Sequence, residues 1–448
     1  MAKPQTSVKP LPPSLPTDLI GGHFRSFRKD PTGFLTRLSK LGDVAAFRMG
    51  PQQAFFINHP DHARDLLVTS NGKFMKGRAL QRAKSLLGNG LLTNEGEAHL
   101  RQRRMIQPTF HKKRIEDYSR SMIECAERMS DGWRNRETLD VDREMMRLTL
   151  QIVARTLFGA DVTDEADQVG RAMSDLVKMF NYLLLPFSEW LEKLPLPHTR
   201  RLARARETLN AIIFQFIIDR RRTGEDNGDL LSMLLAARDE EDGGRMTDEQ
   251  IRDEALTIFL AGHETTANAL TWTWCLLSQN PDVEIKLHEE LKRTNATVSF
   301  EELPSLKYTE AVLAESLRLF PPAWAIGRLA LEDHEFGGFA VLKGSLVLAS
   351  PYVTQRDARF WPDAELFRPE RWFDVSVKEA SQRFSYFPFG GGVRRCIGEG
   401  FAWTEGILLL ATLAKRWKLS LVPEQKIGLH PMITLRPKFG MKMRIEPR

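Results

Sequence analysis

The 448-residue chain is predicted to be mainly α-helical with a minor β portion, folded as a single large domain over 1–448 in which about the first 11 residues form a flexible lead. Three observations predict this. From Asp61 to about Trp274 the apolar residues recur at helical spacing. Within that region the pattern from about Thr247 to Ser278 is unbroken; as one helix it would run roughly 48 Å at 1.5 Å per residue, enough to cross a whole globule. The strand-like segments, by contrast, are short and scattered, so any sheet must assemble from distant pieces. Length alone suggests more than one domain, but no repeat or low-complexity linker divides the chain, and a long buried helix shared by everything argues for one.

The elements follow in order. After a Pro-rich lead, VAAFRMGPQQAFFIN reads as two short strands around a Gly-Pro turn. The helical region is broken at Gly88-Asn89-Gly90, Gly159, the prolines between 186 and 197, and Gly243-Gly244. The long helix ends at Asn280-Pro281, and another, about Tyr308 to Phe320, stops at Pro321-Pro322 because proline disfavours helix in the residue before it. Alternating segments lie near 325–331 and 338–349, then an irregular stretch rich in Pro, Arg and aromatics. A last helix, about Glu399 to Trp417, precedes strand-like residues 418–422, 431–436 and 441–445.

Composition narrows the function. Apolar residues make up 42% and charged residues 27%, as in a soluble globular enzyme. Lys plus Arg number 64 against 58 Asp plus Glu, an excess too small and dispersed for a nucleic-acid partner. Three cysteines, at 125, 275 and 396, exclude a disulfide framework and a zinc knuckle and fit a reducing compartment. The N-terminal MAKPQTSVKPLPPSLPTDLIGGH has no apolar core, and the most apolar stretches, near 180–187 and 406–414, are too short to span a bilayer. A soluble, cytoplasmic protein with no integral membrane anchor is expected.

Cys125 and Cys275 lie in helical patterns with apolar neighbours and read as core filler. Cys396 does not: FGGGVRRCIGEG, residues 389–400, sets it among five glycines and two arginines just ahead of an apolar helix. A thiolate is the metal-binding form of cysteine, and the N-terminus of the following helix would favour it. Gly392 and Gly398 remove side chains where a flat ligand would approach the backbone, and Arg394 would reach an anionic group on that ligand.

FGGGVRRCIG resembles the haem-binding loop of the cytochrome P-450 superfamily at Phe389, Gly392, Arg394, Cys396 and Gly398. The resemblance runs from about Pro12 to Arg444, and GNGLLTNEGEAHLRQRRMIQPTFH looks most like the branch of fatty-acid hydroxylases and their microsomal relatives. It implies haem b with an axial thiolate from Cys396. It also implies a structural triad of Glu315 and Arg318 in EAVLAESLRLFPP with Arg371 in FRPERW; the i, i+3 spacing puts the first two on one helix face. In LAGHETT of the long helix, Ala261 and Gly262 would lie over the haem and the helix would open locally to admit dioxygen. Thr265 would then hydrogen-bond the dioxygen, and Glu264 would relay protons; the alternative is a local kink without function. His99, where tryptophan is common, and Arg103 and Arg328 resemble propionate-binding positions, and Gln355 stands where histidine or asparagine is usual.

The activity so implied is a haem-thiolate monooxygenase that inserts one oxygen atom of O2 into a lipophilic substrate: a fatty acid, steroid or terpenoid. Leu87, Leu260, Ala261, Ala323, Ala325, Ile326 and Ile433 would line its pocket, with Met179 to Phe187, and the small residues at 323 and 325 suit a bulky molecule. Arg78 or Arg82 would anchor a carboxylate. No flavin, nicotinamide or iron–sulfur motif is present, so electrons would come from a ferredoxin or flavodoxin-type donor. Arg101, Arg104, Lys112, Lys113, Arg114 and Arg395 would offer it a basic face, or form a solvated charge run. A monomer is expected. The competing readings are a peroxide-using haem-thiolate enzyme, which usually lacks the Glu264–Thr265 pair, and a non-catalytic haem sensor.

Overall fold

A computed structural model of the chain describes residues 10–17, 21–159, 172, 175–176, 196–239, 241 and 243–448. These fall into two compact groups of segments, each drawn from distant parts of the chain.

The first group comprises the N-terminal segment to Arg78 with 323–366 and 375–396. Its centre is a five-stranded sheet in the order Val44–Met49, Gln52–Ile57, Leu346–Ala349, Ile326–Ala330, Phe74–Lys76. The first pair is the antiparallel hairpin expected from the Gly-Pro turn, in register Val44↔Ile57. Strand Leu346–Ala349 pairs with it in parallel, Ala54↔Leu346, and with Ile326–Ala330 antiparallel. The last strand, Phe74–Lys76, is three residues long and lies where the sequence suggests only helix; three residues carry no period, and its partner Ala330 is over 250 positions away. Helix Pro31–Ser39 starts on Asp30, whose carboxylate accepts from Gly33 N–H at 3.0 Å with Pro31 at the first position. It packs Phe34, Leu35 and Leu38 inward, while Phe47, Phe55 and Phe56 are buried from the sheet. Each such side chain contributes about 2–3 kcal/mol by leaving water.

The second group comprises 79–322, 367–374 and 397–448. Helix Asp248–Gln279 is its axis: Thr247 and Gln250 form a reciprocal capping box at one end, and Asn280-Pro281 stops the other. Around it pack Val141–Phe158, Lys307–Leu319 and Glu399–Arg416, with Lys112–Asp131 against the first and last of these. Val141–Phe158 lies close. Thr149 Oγ1 donates to the His263 carbonyl at 2.9 Å, and a Cβ on Gly262 would stand 3.1 Å from Val153. The Gly88-Asn89-Gly90 break is fastened to the same axis, Asn89 and Leu91 N–H donating to the Asp253 and Glu254 carboxylates at 2.7 and 2.9 Å. Gly88 and Gly90 are required there, since a Cβ would fall 2.1 Å from Asp253 and 2.2 Å from Thr257 side-chain oxygens.

A three-stranded sheet joins Thr138–Asp140, Lys442–Pro447 and Trp417–Leu421, and Leu429–Pro431 pairs with Leu435–Pro437 as a separate hairpin. That hairpin is anchored beside its turn. Leu435 N–H donates to the Pro322 carbonyl at 3.0 Å, and Trp272 Nε1 donates to the Leu435 carbonyl at 2.9 Å.

Candidate active site

In the first group, the loop carrying Cys396 is shaped by the protein itself. Gln355 is fully buried and accepts from Phe387 N–H at 2.8 Å, holding the chain as it enters the loop. Gly390 and Gly392 adopt φ of 71° and 63°, the left-handed region glycine tolerates. The sequence assigns Gly392 to ligand clearance, and the structure corrects this: a Cβ there would lie 2.1 Å from the Leu67 carbonyl oxygen, so a crossing backbone demands the glycine. At Gly398, in the second group, a Cβ would make only ordinary contact with Phe110 at 3.6 Å.

Cys396 N–H donates to the Phe389 carbonyl at 3.0 Å, and its thiol is exposed, whereas Cys125 and Cys275 are buried. Burial pushes the Cys275 thiol up to about 12, which keeps it protonated and inert. Ile326 lies against the same loop, its Cδ1 3.8 Å from where a Gly390 Cβ would stand. Ala323, Ala325, Ile326, Phe389 and Arg394 are half-buried and Arg328 is buried.

In the second group, Asp248–Gln279 is buried on nearly every side, yet Ala261 at its middle is exposed and Thr265, one turn on, is half-buried. Thr265 Oγ1 donates to the Ala261 carbonyl at 2.7 Å, the back-bond that helical threonine favours. The expected local opening does not occur: the element is α-helical throughout. Gly262 serves the close approach of Val153 instead.

Glu264 and Thr265 are neighbours in sequence but about 100° apart around the helix, and they serve different faces. Glu264 is 2% exposed and faces the hairpin, where Thr434 Oγ1 and Arg436 Nε, the latter at 2.8 Å, both donate to Oε1. Thr434 Oγ1 in turn accepts from Asn268 Nδ2 at 3.0 Å. The surroundings are strongly polar: burial and nearby Asp140 push the Asp142 carboxyl up to about 6, with Arg436 opposing, and burial lowers His263. Thr434, Arg436 and Asn268 are functional candidates that sequence reasoning misses. Strand-like spacing at 431–436 shows which residues alternate but not that one face meets a carboxylate.

His99 is buried and Arg103 half-buried, one turn apart on helix Gly96–Ile106, as their spacing requires. Of the basic residues expected to face an electron donor, three carry ion pairs within the chain. Arg101 and Arg104 each approach the buried Asp239 carboxylate at 3.4 Å, Arg104 also pairs with Glu241 at 2.9 Å, and Arg114 lies 3.8 Å from Asp117. Acids of the same chain, Asp239 buried and Glu241 and Asp117 exposed, sit beside these arginines; Lys112, Lys113 and Arg395 are exposed.

Glu315, Arg318 and Arg371 do meet. Arg318 forks onto both Glu315 oxygens at 2.8 and 2.9 Å, and Arg371 Nε reaches Oε1 at 2.9 Å. Trp372 Nε1 adds a bond to Oε2 at 3.0 Å and Arg368 N–H one to Oε1 at 3.0 Å. Of the pocket residues, Leu87 and Leu260 belong to one apolar cluster against which Ile433 packs. Met179 to Phe187 lie outside the described residues.

In the first group the exposed thiol on its pinned loop suits a metal, in the second an uncovered alanine midway along a buried helix leaves apolar room beside it, and the fold that carries them is that of a haem-thiolate protein. Residues 10–442 match the Cytochrome P450 family, and the chain belongs to it. Members hold haem b through a cysteine thiolate, the position Cys396 occupies here.

Cyclooctatin synthase of Streptomyces melanosporofaciens is 39% identical over 96% of this chain and 94% of its own. Cyclooctat-9-en-7-ol 5-monooxygenase of the same organism is 38% identical over 90% and 88%. Pentalenene oxygenase of Streptomyces avermitilis is 35% identical over 96% of each. The retinoic acid-bound cyanobacterial CYP120A1 structure matches with a TM-score of 0.87 at 26% identity, covering 98% of this chain and all of that one. The chain is therefore a cytochrome P450 monooxygenase acting on a lipophilic substrate. No helix among the described residues is long and apolar enough to cross a membrane.

Proposed function

We propose that this monooxygenase hydroxylates a terpenoid-type polycyclic hydrocarbon or its alcohol. The observation that carries the reading is the similarity, over nearly the whole chain, to relatives named for pentalenene and cyclooctat-9-en-7-ol. The apolar cluster of Leu87 and Leu260 with Ile433 against it, and the small Ala323 and Ala325, suit a rigid carbon skeleton better than a charged chain.

The overall change is R–H + O2 + 2 e⁻ + 2 H⁺ → R–OH + H2O. Bound haem supplies oxygen activation, the thiolate of Cys396 enriching the iron in electron density. The chain supplies the rest. His99, Arg103, Arg328 and Arg394 would hold the haem carboxylates, Phe389, Gly398 and Ala261 would bound its faces, and the apolar residues would exclude water. Thr265 carries the hydroxyl on the open face of the long helix, and Glu264 is the nearby acid able to deliver and regain a proton.

The two electrons come from a separate ferredoxin or flavodoxin-type protein, for which Lys112 and Lys113 are accessible cations; a reduction rate indifferent to ionic strength argues against that docking.

The test of substrate class is a spectral titration of the haem-loaded enzyme. Pentalenene is expected to shift the Soret band at concentrations about tenfold below those of laurate, ~1.4 kcal/mol of preference. Tighter binding of laurate, anchored through Arg78 or Arg82, would replace the terpenoid reading with a fatty-acid one.

A further inference from the structure

We propose that Thr434 is a positioning residue for proton delivery: its hydroxyl latches the Glu264 carboxylate to the hairpin, and substrate contact at the adjacent Ile433 releases it. The inference rests on the proposed role of Glu264 as proton carrier and on its lipophilic pocket.

A threonine hydroxyl has one hydrogen to donate. At Thr434 the Asn268 amide already donates to Oγ1 at 3.0 Å, which turns the hydroxyl hydrogen toward Glu264 Oε1. All three side chains are buried, with Glu264 2% and Thr434 5% exposed, so water does not compete for the bond. The latch also sits at a mechanical junction. On one side Leu435 is fixed by Pro322 and Trp272, the latter stacked on Phe320 with ring centroids 4.4 Å apart. On the other side the turn is closed by Met432 N–H donating to the Thr434 carbonyl at 3.0 Å, and Ile433 packs against the cluster holding Leu87 and Leu260.

A ligand entering among those side chains presses on Ile433 while Leu435 stays in place. A displacement of more than about 1 Å then takes the Thr434 bond out of range. Arg436, on the strand beyond the fixed point, stays beside the acid. Glu264 is thus held from two sides while the pocket is empty and by Arg436 alone when it is filled, which ties the ease of proton supply to the presence of something to oxidise.

The charged and titratable groups around this acid are His263 on its own helix, Asp142 and Asp140 from the segment opening helix Val141–Phe158, and Arg436 on the hairpin. A lost bond to the charged form raises a carboxyl's midpoint.

The test is infrared titration of the haem-loaded enzyme, with the Glu264 carboxyl band assigned by its loss in Glu264→Gln. In Thr434→Val without ligand the midpoint is expected to rise by about one pH unit, a tenfold change in protonation, and Thr434→Ser is expected to restore it. Should the valine variant not fold, Thr434→Ala carries the same arm. A midpoint unchanged by removing the hydroxyl overturns the latch whatever the substrate is.

Pentalenene is then added, with its binding read separately from the Soret band. If it binds, the wild-type midpoint is expected to move toward that of Thr434→Val, and the valine variant to respond little. Binding without movement overturns the release step. No binding removes the terpenoid reading instead, while the ligand-free comparison still decides the latch.

Discussion

Cys396→Ser is expected to give a folded polypeptide that no longer shows the red-shifted Soret band of the reduced carbon monoxide adduct. Monooxygenase turnover is expected to fall by about 10³-fold or more, at least ~4 kcal/mol on the barrier. A serine hydroxyl stays protonated at neutral pH, so it offers iron neither the charge nor the polarisable donor of a thiolate. The fold is expected to survive because the loop is held by backbone. The Cys396 N–H bond to Phe389, the Gln355 clamp on Phe387 and the close pass of Gly392 over Leu67 involve no sulfur.

Being exposed, the position belongs with surface substitutions that shift stability by under about 0.5 kcal/mol. Cys275→Ser gives the opposite pattern: the band stays, and stability drops by about 1–3 kcal/mol because a hydroxyl enters an apolar, buried site. Urea denaturation beside the carbon monoxide spectrum separates the two. A Cys396→Ser protein that keeps the red-shifted band removes the thiolate assignment.

That contrast marks what the sequence makes legible. Local chemistry is readable: five glycines around one cysteine cannot be a packed core, and Thr247 and Asn280-Pro281 bracket the long helix to within a residue of where it starts and stops. The helical axis, the first hairpin and the closing helix follow from such signals, while the Glu315 triad is what the family resemblance implies. Long-range complementarity is not readable. Arg101 and Arg104 look like a docking face until Asp239, over 130 positions away, folds beneath them. Gly262 and Gly392 look cleared for a ligand until Val153 and Leu67 arrive against them. The partners of Glu264 lie 170 and 172 positions downstream, in a hairpin whose alternation gives a period but no neighbour. Helix boundaries depend on a few adjacent residues, whereas the environment of a buried charge depends on the whole fold.

Glu315→Ala is expected to be the most destabilising single change in the second group, at about 3–5 kcal/mol, a large part of a total near 5–15 kcal/mol. The reason is the two guanidiniums it leaves behind. Arg318 is fully buried and Arg371 4% exposed; burial lowers Arg371 from its ordinary value, with Glu315 opposing that trend. Without the carboxylate, two like charges and the Trp372 and Arg368 N–H donors lose their shared acceptor in a site water cannot reach. Trp372→Phe removes one bond and no charge, so about 1 kcal/mol is expected there. Glu315→Gln keeps an acceptor but not the charge and should fall between.

The decisive comparison replaces the whole network. Glu315→Met, Arg318→Leu and Arg371→Met together remove every buried charge of the triad, and apolar replacement of a complete buried network is often neutral or stabilising. The triple variant is therefore expected to recover most of the urea midpoint that Glu315→Ala loses. If the alanine variant unfolds at the wild-type midpoint, the network contributes nothing to stability. If the triple variant is as unstable as the single, the loss comes from packing or the Arg368 and Trp372 bonds, and the account based on stranded charge is wrong.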